Sequence, residues 1–338
     1  MSDIFENVTN YPELTEKAKL SLFKNVNIFR GFCLSEKDGL KRSFHDLYQW
    51  NDNYLPEDLQ PMENTLKKDE HSFSKVTHEL KKMNIDSASL SLSSPFVSAE
   101  SEFRHEQGSD LSTSEVNEYL LSQAIVRKSF FNIDFREAKV SDVFVQAVSQ
   151  AVDTDENIQT RSINLLNVLN EWGYYLPQEF TLGGILYSEA VTKITDYSMA
   201  EKEKTEFSAS FKTSFERIGG GGGFSGGWSS EQTDTVSNKY ENTVIHQIGG
   251  VAGLTNDYSL WATSLHDARY WTIIECARLY PSLMLLLNAS DQSYGNHLLG
   301  LCLRTLNSCL AVPAVYKLQP ILNLGEYATV IEEMVSPY

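Results

Sequence analysis

Gly223, Ser225 and Gly227 in the run "IGGGGGFSGGWSS" match G-x-S-x-G, the sharp turn that presents a serine nucleophile. His246, His266 and His297, with Asp257 and Asp267, follow as candidate base and orienting groups, so the chemistry on offer is acyl transfer. The same run satisfies G-x-G-x-x-G at Gly221, Gly223 and Gly226, a dinucleotide fingerprint. That fingerprint needs a hydrophobic strand before it and an amphipathic helix after it, whereas "KTSFER" precedes and the polar "WSSEQTDTVSNK" follows. A phosphate loop is excluded because no Gly-Lys-Ser/Thr is present. A nucleophile turn must be rigid, and seven glycines in the nine residues from Gly219 to Gly227 maximise backbone freedom instead. The hydrolase using Ser225 is therefore the lesser alternative, and the run reads as a joint or as a loop.

Cys33, Cys276, Cys302 and Cys309 complete the inventory of reactive groups. They lack metal-ligand spacing, and on a helix Cys302 and Cys309 would stand about 10.5 Å apart, too far for a disulfide. Buried thiols are expected. Neither a metal nor a cofactor is expected.

The chain has 338 residues, 41% hydrophobic, with a formal net charge of -17. That is a globular composition, and its charge argues against unaided binding to nucleic acid or to strongly anionic lipid. The first residues, "MSDIFENVTNYPEL", show no signal peptide, and the longest apolar run, in "SLMLLLNAS", falls far short of the roughly 20 residues of a spanning helix. The expectation is a soluble monomer, cytoplasmic or exported without a signal.

The elements that must position any site follow from periodicity. Residues 1–84 are charge-rich and read as a mostly helical segment packed on the core. "SASLSLSSPFVSAESEF" alternates, with Leu90 and Leu92 on one face, and "FFNIDFR" places Phe131, Ile133 and Phe135 on one face of a second strand. "VSDVFVQAVSQAVD" and "NIQTRSINLLNVLNEW" then carry the helical period. Strand character resumes in "EFTLGGILY", interrupted by Gly183 and Gly184, a bend or close backbone approach. In "EFSASFKTSFE", Phe207, Phe211 and Phe215 are spaced for a helix, while Phe207, Ala209, Phe211 and Phe215 also alternate with Ser208, Ser210, Lys212 and Ser214 as a strand would. One segment fits two structures. Gly219, Gly220, Gly221, Gly222 and Gly223 adjoin it, and "VIHQIGG" ends in Gly249 and Gly250.

Together these features resemble the membrane attack complex/perforin (MACPF) family, and especially its short fungal-type members. The resemblance rests on Trp172, Gly173, Tyr174 and Tyr175 before the strand with Gly183 and Gly184, on two excursions near residues 87–118 and 196–242, and on Gly249 and Gly250. It covers roughly residues 85–290 and leaves 291–338 as a closing segment. It implies an α+β fold, a bent, twisted four-stranded antiparallel sheet flanked by two helical clusters. Val244, His246 and Ile248 should then lie on a strand beside the one carrying Phe180 and Leu182, with both glycine pairs near a shared bend. The implied function is a homo-oligomeric ring that perforates a target lipid membrane by turning both clusters into β-hairpins. Leu90, Leu92, Phe207, Ala209, Phe211 and Phe215 would enter lipid about a joint at Gly219–Gly223. A separate lipid-binding partner protein would supply recognition, and a non-lytic membrane- or partner-binding protein of the same fold is the alternative.

Overall fold

A computed structural model describes residues 11–35, 39–51, 54–85, 116–221, 238–241, 243–309 and 324–335. Its elements in chain order are α1 (Glu16–Asn25), β1 (Arg30–Ser35), β2 (Gly39–Asp46), β3 (Tyr48–Trp50), β4 (Gln60–Ser72), α2 (Lys75–Lys82), β5 (Val116–Asn132) and β6 (Ala138–Val140). They continue with α3 (Asp142–Val152), α4 (Ile158–Trp172), β7 (Tyr175–Ile194), α5 (Tyr197–Arg217), β8 (His246–Ile248), α6 (Tyr258–Ser264), β9 (Thr272–Pro281), α7 (Gln292–Cys309) and α8 (Leu324–Val335).

The fold is α+β, built on a large antiparallel sheet that among the described residues has seven strands rather than the expected four. The order β2-β1-β7-β5-β4 forms its body, and β8 and β9 also pair with β7. The long neighbours β5 and β7 run together from Asn132↔Glu179 to Val116↔Ile194. The opposite edge of β7 is shared by β9, over Tyr175–Gly183, and by β8, over Ile185–Tyr187. Beyond Tyr187 no strand pairs with that edge among the described residues.

Residues 30–72 correct the expectation of a mostly helical start, because they contribute β1 to β4. In β4 both faces are charged, which hides the strand from any hydrophobic pattern. Lys67 pairs with Asp69 at 2.6 Å and Lys68 with Glu70 at 3.1 Å, so residues two apart on one face satisfy each other. The strand expected through Phe135 stops at Asn132. Ile133 follows it, and Phe135 lies in a 3-10 turn capped by Asp134, whose side chain accepts from the Arg136 amide.

The helical period before the sheet is realised as α3 and α4, which bury Phe144, Val148, Leu165, Leu166 and Leu169 in the main core. Asn157 starts α4 by accepting from the Thr160 amide, and Gly173 ends it at φ +97. A β-carbon on Gly173 would come within 2.5 Å of the Gly31 carbonyl carbon, so helix end and β1 touch through two glycines. Trp172 is buried beside them and stacks on His45 at 4.7 Å. The Tyr174 hydroxyl donates to Asn170 Oδ1, and the Tyr174 carbonyl accepts from the Tyr327 hydroxyl and the Ser282 amide. The signature aromatics thus join helix, sheet and the closing helix α8.

The two glycine pairs meet. A side chain on Gly183 would begin 2.1 Å from the Val126 carbonyl oxygen, and one on Gly249 (φ +72) 2.6 Å from the Gly183 carbonyl oxygen. Gly184 and Gly250 both face Trp261, whose Nε1 donates to the Gly249 carbonyl at 3.1 Å. Opposite this close approach the β5–β7 register shifts between Arg127 and Ser129. His246 and Ile248 lie on β8 beside β7, but Val244 does not: it precedes the strand, is exposed, and its carbonyl accepts from the Ser188 hydroxyl.

Candidate functional site: the underside of helix α5

Residues 197–217 are helical. Asp196 starts α5 by accepting from the Met199 amide, and the helix ends in Gly219 (φ +87) and Gly220, where a β-carbon would strike the Phe215 ring at 2.4 Å. Phe207, Phe211 and Phe215 all point inward. Phe207 meets Leu120 and Tyr240, while Phe211 and Phe215 reach the main core, with Phe215 edge-on to Tyr258 at 5.1 Å.

What lies between these rings is polar. The helix also buries Glu203, Ser208, Ser210 and Ser214. Register assigns the opposing sheet face: His71↔Leu120↔Ala190, Asp69↔Ser122↔Ser188 and Glu118↔Thr192 are cross-strand rows. Glu118 is fully buried, with one carboxylate oxygen 2.8 Å from His71 Nδ1, and the Nε2 of that ring is 3.6 Å from a Glu201 oxygen on α5. Burial raises the Glu118 carboxyl above its ordinary range, against the pull of His71. Lys67 reaches across to the Ser208 hydroxyl at 3.3 Å, and burial lowers its ammonium against the support of Asp69. Glu203 accepts from the Tyr240 hydroxyl and, at 2.8 Å, from Lys239, which also donates to Thr192 on β7. Burial, then the Glu203 contact, pushes the Tyr240 phenol well up.

This interface leaves polar atoms without partners. Glu118 Oε2, Asp69 Oδ1, Ser122 Oγ and Ser210 Oγ are buried and make no hydrogen bond among the described residues. Each such atom costs about 1–3 kcal/mol, while burying a phenylalanine returns about 1.5–3 kcal/mol. The unpartnered atoms therefore offset part of what burial of the three rings contributes.

The second sheet face is covered by α2, again through charge. His78 Nε2 lies 2.8 Å from a Glu189 oxygen and Lys82 Nζ lies 3.1 and 3.2 Å from both, with Gln123 donating to the Lys82 carbonyl. The hydrogen bond from His78, aided by Lys82, holds the Glu189 carboxyl down at about 2. His78, Glu79 and Glu189 place three ligand-type atoms within 4.8 Å of one another, but the Lys82 ammonium already supplies the positive charge there.

Of the residues singled out in the sequence, Phe207, Ala209, Phe211 and Phe215 are all buried on α5, Phe207 against Leu120 and Tyr240 and Phe211 with Phe215 in the main core. Trp172, Gly173, Tyr174 and Tyr175 form the helix–sheet junction, and Gly183, Gly184, Gly249 and Gly250 the close approach. Leu90, Leu92, Gly222, Gly223 and Ser225 lie outside the described residues. The partners proposed for Ser225 are occupied elsewhere: Asp257 caps α6, Asp267 grips Arg269, and His297 lies 3.9 Å from Asp153. No ion pair among the described residues joins His246 or His266 to either aspartate. All four cysteines are free and buried, and burial pushes the Cys33 thiol to about 11 and that of Cys276 to about 12. Glu118, His71, Glu203 and Lys239 were missed by sequence reading. The one available signal was the alternation of Glu118, Leu120 and Ser122 with Tyr119 and Leu121 in "NEYLLSQ".

Among the described residues no helix is long and apolar enough to cross a membrane. No curated protein matches the chain. Solved structures similar to it include GNIP1Aa from Chromobacterium piscinae, at 14% identity over 87% of this chain and 55% of that one, with a TM-score of 0.43. Another is a putative cell invasion protein with a MAC/Perforin domain from Bacteroides thetaiotaomicron, at 14% identity over 71% and 50%, with a TM-score of 0.38. The chain spans about half the length of these structures. A model of the fungal MACPF-like domain matches residues 28–293, most of the sheet and both faces described above, and the chain belongs to that family.

Proposed function

We propose that this protein is a non-catalytic pore former that assembles into a ring on a target lipid membrane and converts α5, with the segment after it, into a membrane-spanning hairpin. The observation that carries the reading is the underside of α5: its phenylalanines rest on a sheet face with buried polar atoms that have no partner among the described residues and that water would satisfy once the helix leaves. Strand geometry fits the same step. β7 runs to Ile194, and if it continued unbroken, Phe207, Ala209, Phe211 and Phe215 would share one face and Ser208, Ser210, Lys212 and Ser214 the other. Nine to eleven tilted residues cross a bilayer, which this stretch supplies.

The return half of the hairpin has a place to form. Among the described residues the edge of β7 beyond Tyr187 lacks a strand, and Lys239 and Val244 already contact β7 through the side chains of Thr192 and Ser188. Extending β8 backwards along that edge would pair it, and neighbours in a closed ring would satisfy the outer edges.

The test is permeabilisation: purified protein added to dye-loaded liposomes of several lipid compositions, with and without cell extract to supply a lipid-binding partner. Dye release supports the pore former. Binding without release in every condition would favour the non-lytic member of the family.

A further inference from the structure

One buried ring beneath α5 stands between carboxylates from two elements. His71 on β4 has its Nδ1 2.8 Å from Glu118 on β5 and its Nε2 3.6 Å from Glu201 on α5. Phe73 and Tyr197 flank the ring at 5.4 and 6.0 Å. Glu118 is fully buried, whereas Glu201 is about half exposed and accepts from the Tyr197 hydroxyl at 2.9 Å. Glu201 is thus the end of the bridge that the helix carries.

The other charges nearby pair among themselves, apart from Lys204, which lies 4.0 Å from the second oxygen of Glu201. On β4, Lys67 pairs with Asp69, and from α2 the Lys81 ammonium donates to the His71 carbonyl oxygen rather than to the ring. On α5, Lys202 lies 3.7 Å from Glu206 and Lys212 4.0 Å from Glu216, while Glu203 is held by Lys239 and Tyr240. The adjoining residues of β7 on this face, Ser188, Ala190 and Thr192, carry no charge. A histidine with a proton on each nitrogen donates to two acceptors, and a neutral one has a single N–H. The shorter contact keeps that N–H, so a neutral ring turns the bare lone pair of Nε2 towards Glu201. What deprotonation removes is the attraction across to the helix.

We infer that docking of α5 is proton-linked through the bridge Glu118–His71–Glu201, so that acid holds the helix on the sheet and a rise in pH through histidine's range, about 5 to 8, loosens it. The docked state carries the extra proton. Its contribution is therefore fully present at the acid end of that window and is lost towards the alkaline end. Burial acts on Glu118 in the same direction, because it raises a carboxyl that the departure of α5 would return to water. The linkage belongs to the unassembled protein. Its consequence, a pH-dependent hold on insertion, rests on the pore-forming reading above.

The experiment is hydrogen exchange of the unassembled protein at about pH 5.5 and about pH 7.5, inside the histidine window, with rates corrected for the intrinsic effect of pH on exchange. Amides of residues 197–217 are expected to lose protection about tenfold between the two, the scale of one linked proton, while those of α4 stay unchanged. Glu201→Gln, at a half-exposed position, is expected to cut that change to about twofold or less. His71→Gln combined with Glu118→Gln should do the same once circular dichroism shows the double variant folded. Protection that is flat or rises with pH in wild type, or a tenfold loss that persists in Glu201→Gln, overturns the inference and leaves the pore reading standing. Dye release from liposomes is expected to be about tenfold faster at the higher pH in wild type, and independent of pH in Glu201→Gln. Wild-type release at equal rates despite linked exchange overturns the hold on insertion. No release from bound protein at either pH overturns the pore reading while the linkage survives.

Discussion

The carbonyl oxygen of Gly183 lies 2.6 Å from the point where a side chain on Gly249 would begin. Two glycines some sixty-six residues apart in sequence therefore let β7 and the end of β8 approach closely, and Gly249 does so at φ +72, a region costly to other residues. Gly249→Ala is expected to destabilise the protein by about 1–3 kcal/mol from strain and clash together. Gly253, at φ +86 with nothing within 4 Å of a β-carbon, separates the two effects. Gly253→Ala should show the smaller loss in chemical denaturation, and equal losses would mean that the contact with Gly183 contributes nothing.

Trp172 closes α4 against β1 and stacks on His45. Trp172→Ala should cost about 3–5 kcal/mol, read as a lower melting temperature. An unchanged melting temperature with lost liposome binding would move this residue from the core to a binding role.

Glu189 latches α2 to β7, and its carboxyl is held at about 2 against an ordinary value of 4.5. A depressed carboxyl contributes stability that is fully present above about pH 4.5 and is lost as pH falls towards 2. Solvent screens part of it, since the side chain is about a third exposed. Hydrogen exchange in residues 75–82 should accelerate between pH 4.5 and 2 more in wild type than in Glu189→Gln. Identical acid dependence in the two proteins would show that this latch carries no linkage.

Glu203 is the acceptor that ties α5 to the segment after it, through Tyr240 and Lys239. Tyr240→Phe leaves a buried carboxylate oxygen short of a donor, a loss of about 1–3 kcal/mol concentrated at this contact. Amides of residues 197–217 should exchange faster and dye release should begin at lower protein concentration. Faster exchange without easier release would uncouple helix docking from insertion.

Periodicity in the sequence located α3, α4 and α5 closely, because each buries one apolar stripe against one core. It also located the middle of β7, where Phe180, Leu182 and Ile185 surround the glycine pair. It failed on β4, whose Lys67, Asp69 and His71 face α5 while Lys68 and Glu70 face the side of α2. A strand covered on both faces by helices that hold it through charge shows no hydrophobic alternation. The same property hid Glu118 and its neighbours, since a buried acid is legible only when its partners are, and these come from β4, α5 and the segment around Lys239. The double period of residues 207–215 was legible, because both structures it fits leave their mark on the same side chains.

The central claim is that α5 must leave the sheet for the membrane to be breached, and a reversible lock measures it most directly. Lys67 and Ser208 touch across the interface, so Lys67→Cys with Ser208→Cys, bridged by a short reducible bismaleimide, fastens helix to strand. Both positions are as buried as the native thiols, so the four native cysteines are first replaced by alanine and the bridge is closed during transient opening of α5. Rings should still assemble on liposomes while dye release stays blocked, and reductant should restore it. Release that proceeds at the same rate with the lock closed would contradict the account.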